Sequence, residues 1–208
     1  MAKRTGGKYE AILDAAVRVI AQYGYHNTQV SKIAREAKVA DGTIYLYFKN
    51  KDDVLISVFN EKMGAFINDV EKALSVIEDP SNQLRELIRL HFAHLERDHQ
   101  LAMVTQIELR QSNPEVRQGI AQILKRYLDV MDAVVDAGIK NGVFRSDIAH
   151  RITRKMIFGT IDETVSSWIM NDFKYNLLDQ VDSIHSLFLR GIGNAVTENS
   201  HSKEEIGT

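Results

Sequence analysis

Apolar residues return along this chain at intervals of three and four, and no stretch of strand length alternates with a period of two. The first block puts Ile12, Ala15, Ala16, Val19 and Ile20 on one stripe, predicts a helix over 8–23 and meets a stop at Gly24. Two very short blocks follow. Val30, Ile33, Ala34 and Ala37 face one way behind a cap at Thr28; Lys38 to Ala40 turns the chain; and Asp41 caps a second short helix with Ile44 and Phe48 inward. Asn50, with Asp53 three residues on as half of a capping box, opens a long helix over 51–77. Asp79 with Pro80 and Asn113 with Pro114 each join a cap to a proline at the first helical position. The first pair starts a helix carrying Leu84, Leu87, Ile88, His91, Phe92 and Leu95. The second starts one carrying Val116, Ile120, Ile123, Tyr127, Val130, Val134 and Ile139, stopped by Asn141 and Gly142. A shorter helix is expected between them over 102–111, and two more over 148–170 and 177–196. Both prolines of the chain fall at these helix starts, so the expected fold is all α with about nine helices. Residues 1–7 read as an arm, and the polar tail TENSHSKEEIGT lacks the apolar content to order itself.

The two short helices carry the strongest functional signal. Once Ile44 and Phe48 point inward, Gly42, Thr43, Tyr45, Leu46 and Tyr47 are left over. Small residues, a hydroxyl and phenols on a two-turn helix make poor core and suit the floor of a nucleic-acid groove. Two short helices joined by a tight corner are the helix-turn-helix arrangement, in which the second helix enters the major groove. No Arg fork stands on that helix, so sequence reading is expected to lean on van der Waals contact and DNA shape.

Charge sharpens this picture. The chain has a net charge of −2, yet its first 51 residues hold nine basic side chains against four acidic ones. A basic head on an acidic body favours phosphate attraction by the head alone. No cysteine occurs, which excludes disulfides, thiolate nucleophiles and Cys-ligated zinc. The opening MAKRTGGKYE has no apolar stretch, and no later run could span a bilayer, so a soluble, cytoplasmic protein without membrane partners is expected.

The wording VSKIAREAKVADGTIYLYFKNK is more specific than the architecture: it resembles the signature of the TetR-type repressors, most closely from Tyr9 to about Leu55. The resemblance implies a homodimer on an inverted-repeat operator in double-stranded DNA. It implies DNA contacts from Thr28, Ser31, Lys32 and Lys38 and from Asp41, Gly42, Thr43, Tyr45, Leu46, Tyr47 and Lys51. Lys38 departs from the glycine usual in the family, and only a left-handed backbone there would make lysine costly, by about 1 kcal/mol. A DNA-binding domain over 8–67, with its helix-turn-helix element over about 31–50, would be followed by a ligand-binding and dimerisation domain over 68–196 and a tail over 197–208. The last two helices each show apolar residues on more than one edge. Val165, Ile169, Val181, Ile184, Phe188 and Ile192, with Val196 and the small Gly191, Gly193 and Ala195, are expected to pair with a second copy. The alternative is that the same residues are monomer core.

Two further runs, VTQIELRQSN and MIFGTIDETVSSWIMND, resemble those of the TetR-type regulators of fatty-acid degradation in bacilli, which are released from DNA by long-chain acyl-CoA. That resemblance implies an acyl chain among Phe92, Leu95, Met103, Ile107, Leu124, Leu128, Met131, Phe158, Ile161 and Trp168. Its thioester and CoA head would meet Arg85, Arg89, Gln106, Arg110, Lys125 and Arg126, with Asp162 among the polar groups closing the site. Mid-helix Gln106, Glu108, Arg110, Asp162 and Glu163 admit a second reading, as groups satisfied locally or at the dimer seam. A different hydrophobic effector, acting on an efflux or other gene, fits the bare signature equally. His91 and His94 share a face, but no second helix offers them a carboxylate, so these and His99 are expected to be solvated rather than metal-binding. No nucleophile elbow or phosphate-binding loop is present, and no enzymatic activity is expected.

Overall fold

The computed structural model describes residues 6–194, and among them the chain is all helical apart from one isolated bridge between Phe144 and Gly193. Helix α1 (Gly7–Tyr23), α2 (Val30–Glu36) and α3 (Asp41–Tyr47) form the head; α4 (Lys51–Leu74) runs out of it into the body. The body is α5 (Pro80–Glu96), α6 (His99–Glu108), α7 (Pro114–Lys140), α8 (His150–Met170), a 3-10 turn (Leu177–Gln180) and α9 (Val181–Ile192). No helix among the described residues is long and apolar enough to cross a membrane. The expected arm and tail, with Ala195 and Val196, fall largely or wholly outside the described residues.

Several starts follow the local signals. Asn50 accepts from the Asp53 amide at 2.8 Å, Asp79 from Asn82 at 2.8 Å and Asn113 from Glu115 at 2.9 Å. The Asp53 carboxylate in turn accepts from the Lys49 amide at 2.9 Å, one residue earlier than a full capping box would. Other ends differ from the sequence expectation. Helix α6 begins three residues before the expected start because Asp98 caps it, accepting from the Leu101 amide at 2.9 Å. Helix α4 stops at Leu74, where Gln83 from α5 donates to the carbonyls of Leu74 and Ile77 at 3.2 and 2.7 Å and closes the turn. Neither Thr28 nor Asp41 is a cap: the cap positions are Gln29 and Ala40, and neither gives a side-chain bond.

Two apolar clusters hold the molecule. In the first, α1, α2, α3 and the start of α4 pack Ile12, Ala16, Ile33, Ile44, Phe48, Leu55 and Phe59 together, with Leu101 and Val104 of α6 and Val116 and Ile120 of α7 completing it. The head is therefore rooted in two body helices as well as in α4. The second cluster joins α4, α5, α7, α8 and α9 around Phe66, Phe92, Tyr127, Met131, Ile161, Trp168 and Phe188. Here one expectation fails. Val165, Val181, Ile184, Phe188 and Ile192 lie inside this core, and Ile169 packs partly buried against it. The reading of these residues as monomer core is the one that holds, because α9 turns its strongest apolar stripe onto α5 and leaves its other edge outside.

Candidate nucleic-acid interface and effector cavity

Helix α3 is anchored by Ile44 and Phe48, which are 1% and 0% exposed; Phe48 stacks on Tyr9 of α1 with ring centres 5.3 Å apart. Fixing those two side chains forces the opposite face outward. Tyr45 and Leu46 are 56% and 57% exposed, Asp41 and Gly42 are exposed, and Thr43 is half-buried. Tyr47 leans against Tyr9 at 6.0 Å and is the phenol partly taken into the core. A Cβ built on Gly42 meets nothing within 4 Å, so nothing in the chain itself requires glycine there.

Around this face the remaining predicted contacts divide. Lys38 is exposed and lies at φ 56°, the left-handed conformation that glycine would adopt without strain. Ser31 is half-buried, and Lys32 holds its ammonium over the Tyr23 ring at 4.1 Å. Thr28 must be corrected: it is 2% exposed and its hydroxyl donates to the Gly24 carbonyl at 2.8 Å, so it has no surface to offer DNA. Lys51 is also committed within the chain. Its ammonium donates to the carbonyls of Tyr25 and His26 at 2.8 and 3.3 Å and sits 4.4 Å above the Tyr25 ring, tying the loop after α1 to the start of α4.

The same loop joins head to body. Asp52 accepts from the Tyr25 hydroxyl and, with its other oxygen, from the Asn113 amide at 2.9 Å. Burial, then this carboxylate, pushes the Tyr25 phenol well above its ordinary pKa. Nearby, Glu108 is 6% exposed and accepts from Gln111. Glu108 thus faces the head rather than a ligand site, a placement no sequence signal distinguished.

Behind the head lies a cavity of about 50 Å³ shared by five helices. Its walls are Phe59, Lys62, Met63 and Phe66 of α4; His91, His94 and Leu95 of α5; Leu101, Thr105 and Gln106 of α6 with Leu109 just past its end; Leu124 and Tyr127 of α7; and Phe158 and Asp162 of α8. Its α6–α8 side is closed by polar groups. Gln106 donates to the Asp162 carboxylate at 2.8 Å and to Ser166 at 2.7 Å, while Arg110 pairs with Asp162 and donates to the Gln106 carbonyl at 2.8 Å.

Of the expected ligand residues, Leu95, Gln106, Leu124, Phe158 and Asp162 line this cavity. The others do not, and the reasons differ. Phe92, Met131, Ile161 and Trp168 are sealed in the core, the indole donating to the Tyr175 carbonyl at 2.8 Å. Met103 and Leu128 are half-buried outside it, and Ile107 is 57% exposed. The cations are held elsewhere: Arg85 by Asp182 at 2.7 Å, Arg89 by Glu86 at 2.6 Å, Lys125 by Asp129 at 2.6 Å, and Arg126 by Glu71 and Asn68. Sequence reasoning missed Phe59, Lys62, Phe66, His94, Thr105 and Tyr127 as lining residues. It also expected His91 to be solvated, whereas burial pushes that imidazole down to about pKa 3 and its Nδ1 lies 2.7 Å from the Tyr127 hydroxyl. Among the described residues no group of three His, Asp or Glu could hold a metal ion.

Comparison with known proteins agrees with this geometry. Residues 12–58 match the family described as bacterial regulatory proteins, tetR family, and residues 59–191 match the C-terminal region of YsiA-like proteins. The chain is similar to the fatty acid metabolism regulator protein of Bacillus subtilis, 53% identical over 92% of this chain and 99% of that one. It is 29% identical to the repressor NicS of Pseudomonas putida, over 87% of this chain and 90% of that one. Among solved structures it resembles the transcriptional regulator FadR of Bacillus subtilis in complex with stearoyl-CoA, with a TM-score of 0.86 and 53% identity over 88% of this chain and 99% of that one. The fatty acid degradation regulator FadR of Bacillus halodurans gives a TM-score of 0.87 and 51% identity over 91% and 98% of the two chains. The chain belongs to the TetR family of bacterial regulatory proteins, DNA-binding transcriptional regulators rather than enzymes.

Proposed function

We propose that this protein is a homodimeric repressor of fatty-acid degradation genes, released from an inverted-repeat operator when a long-chain acyl-CoA enters the cavity behind its head. The observation that carries the reading is that α4 and α6 are at once walls of the cavity and roots of the head. The bound stearoyl-CoA in the Bacillus subtilis FadR structure, at 53% identity, supports the choice of ligand.

The proposed DNA surface is Asp41, Gly42, Thr43, Tyr45, Leu46 and Tyr47, flanked by Ser31, Lys32 and Lys38; Thr28 is left out and Lys51 serves to hold the α1–α2 loop. The functional boundary between head and body falls within α4. Dimerisation is assigned to the outer faces of α8 and α9, where Ile152, Met170 and Leu187 are 56%, 83% and 61% exposed. On the same faces Gly159 and Gly191 are exposed and leave room for close approach.

At about 50 Å³ the cavity is far below the roughly 300–1,000 Å³ of ordinary ligand pockets, so an acyl chain cannot enter without spreading its walls. Phe59, Met63 and Phe66 on one side and Leu101, Thr105 and Leu109 on the other must separate. Both sets continue into the head core, which turns a local displacement into a shift of α3. Two α3 helices must match half-sites about 34–36 Å apart, and a 100-fold loss of affinity needs only about 2.7 kcal/mol of preference for the spread state.

The test is a titration of the operator complex with acyl-CoAs of rising chain length, followed by fluorescence anisotropy. Release is expected by long chains and not by CoA alone. If no chain length releases DNA, the effector assignment fails, and a Tyr45→Ala variant that binds DNA as well as wild type would remove the assigned reading face.

A further inference from the structure

The cavity contains a polar pair that the packing of the body does not require. His91 of α5 and Tyr127 of α7 meet in surroundings of Phe66, Leu95 and Leu124, with Nδ1 of His91 2.7 Å from the Tyr127 hydroxyl. The ring centres are 5.6 Å apart, and Phe66 lies edge-on to His91 at 5.9 Å. A cavity meant only for hydrocarbon is served better by two apolar side chains, because a buried polar group is costly unless its bonds are made.

The protons on this pair leave one donor over. Burial pushes the His91 imidazole down to about pKa 3 and raises that of the Tyr127 phenol, so both are neutral near pH 7. Together they carry one N–H and one O–H, and only one hydrogen can lie between Nδ1 and the hydroxyl oxygen. If the phenol donates, Nε2–H of His91 is left; if Nδ1–H donates, the phenol hydrogen is left. Neither group makes a second hydrogen bond among the described residues. Most other polar lining groups are already engaged: Gln106 with Asp162 and Ser166, Thr105 with the Leu101 carbonyl, and Lys62 with Asp14 of α1. His94 stacks on Phe66 at 4.5 Å, within reach of the charges of Arg97, Asp98 and Asp69.

We propose that the His91–Tyr127 pair recognises an acceptor oxygen of the guest, namely the thioester carbonyl of an acyl-CoA, and so makes the cavity specific for acyl thioesters over alkyl chains of equal length. This rests on the acyl-CoA reading above. The pair sits where α5 and α7 meet the wall formed by Phe66 of α4, so the carbonyl bond and the spreading of the walls occur together.

The experiment compares stearoyl-CoA with S-octadecyl-CoA, its thioether analogue in which a methylene replaces the carbonyl, binding to the full-length dimer by calorimetry. Wild type should bind the thioester about tenfold more tightly, the value of one well-made neutral hydrogen bond. In a His91→Phe, Tyr127→Phe double variant the preference should fall to about one while both compounds still bind; the single variants divide the effect between the two groups. Equal wild-type affinities overturn the proposal without help from any variant, as does a preference that survives in the double variant. If neither compound binds wild type, the acyl-CoA reading itself is wrong and this inference falls with it.

Discussion

Where α7 crosses α4 beside the head, the two helices touch through Gly119, and a single methyl group added there tests whether that contact sets the head's position. A Cβ on Gly119 would stand 2.5, 2.7 and 3.0 Å from Cδ1, Cγ1 and Cγ2 of Ile56. Carbon atoms in contact prefer about 3.5–4.0 Å, so the methyl needs roughly 1 Å that it does not have. Ile56 yields poorly, because a β-branched side chain on a helix has essentially one rotamer, and its Cγ2 cannot swing clear. Gly119→Ala should therefore incur an overpacking cost of about 1–3 kcal/mol, offset by about 1 kcal/mol of better helix propensity. The net change in stability is small to moderate, while the displaced part of α4 lies one turn from Asp52 and from the root of the head. Chemical denaturation and operator binding, measured together, separate the two effects: stability should fall by about 0–2 kcal/mol and operator affinity by a larger factor. Ile56→Ala removes all three close atoms, so the double variant should recover much of the loss, with a coupling energy above about 1 kcal/mol. A Gly119→Ala protein stabilised by the full propensity gain, with unchanged DNA binding and additive double-variant energies, would refute the view that this contact is tight and positions α4.

Three further outcomes follow from the geometry. His91 titrates near 6.5 when unfolded and near 3 when folded, so its contribution to stability is complete above pH 6.5 and is lost as pH falls from 6.5 towards 3; that acid slope should flatten in His91→Phe melts. Asp52→Ala strands the Tyr25 hydroxyl and the Asn113 amide, and should cost about 1–3 kcal/mol in urea unfolding, with more rapid proteolysis between head and body. Gly138→Ala would put a Cβ 1.9 to 2.7 Å from the buried Phe144 ring, and should lower the melting temperature by several degrees, whereas the same change at open Gly42 should leave stability within about 0.5 kcal/mol.

Lys38 shows how local and tertiary information meet. A turn at Lys38 is legible in the chain, whereas its left-handed backbone is seen only in the fold; the cost of about 1 kcal/mol for a side chain there belongs to the residue alone. Whether the lysine then faces solvent depends on how α2 and α3 pack on α1, and that placement is a property of the head core.

Helical content, the starts at Asn50, Asp79 and Asn113, and the short pair of helices with Ile44 and Phe48 inward and Tyr45 and Leu46 outward are legible in the chain alone. These are consequences of capping chemistry and of a period of 3.6, which act over a few neighbouring residues. Which of two apolar edges on α9 is core, why Val165, Val181, Ile184, Phe188 and Ile192 are closed to a partner, and which of many helical positions border the cavity depend on how the helices pack. The same is true of charge. Arg85, Arg126 and Lys51 look like free cations along the chain, but their acceptors at Asp182, Glu71 and the carbonyls of Tyr25 and His26 are 97, 55 and about 25 residues away. A hydrogen bond between His91 and Tyr127 spans 36 residues and two helices. Pairings at such separations depend on how rigid helices cross, and no window of sequence contains that information.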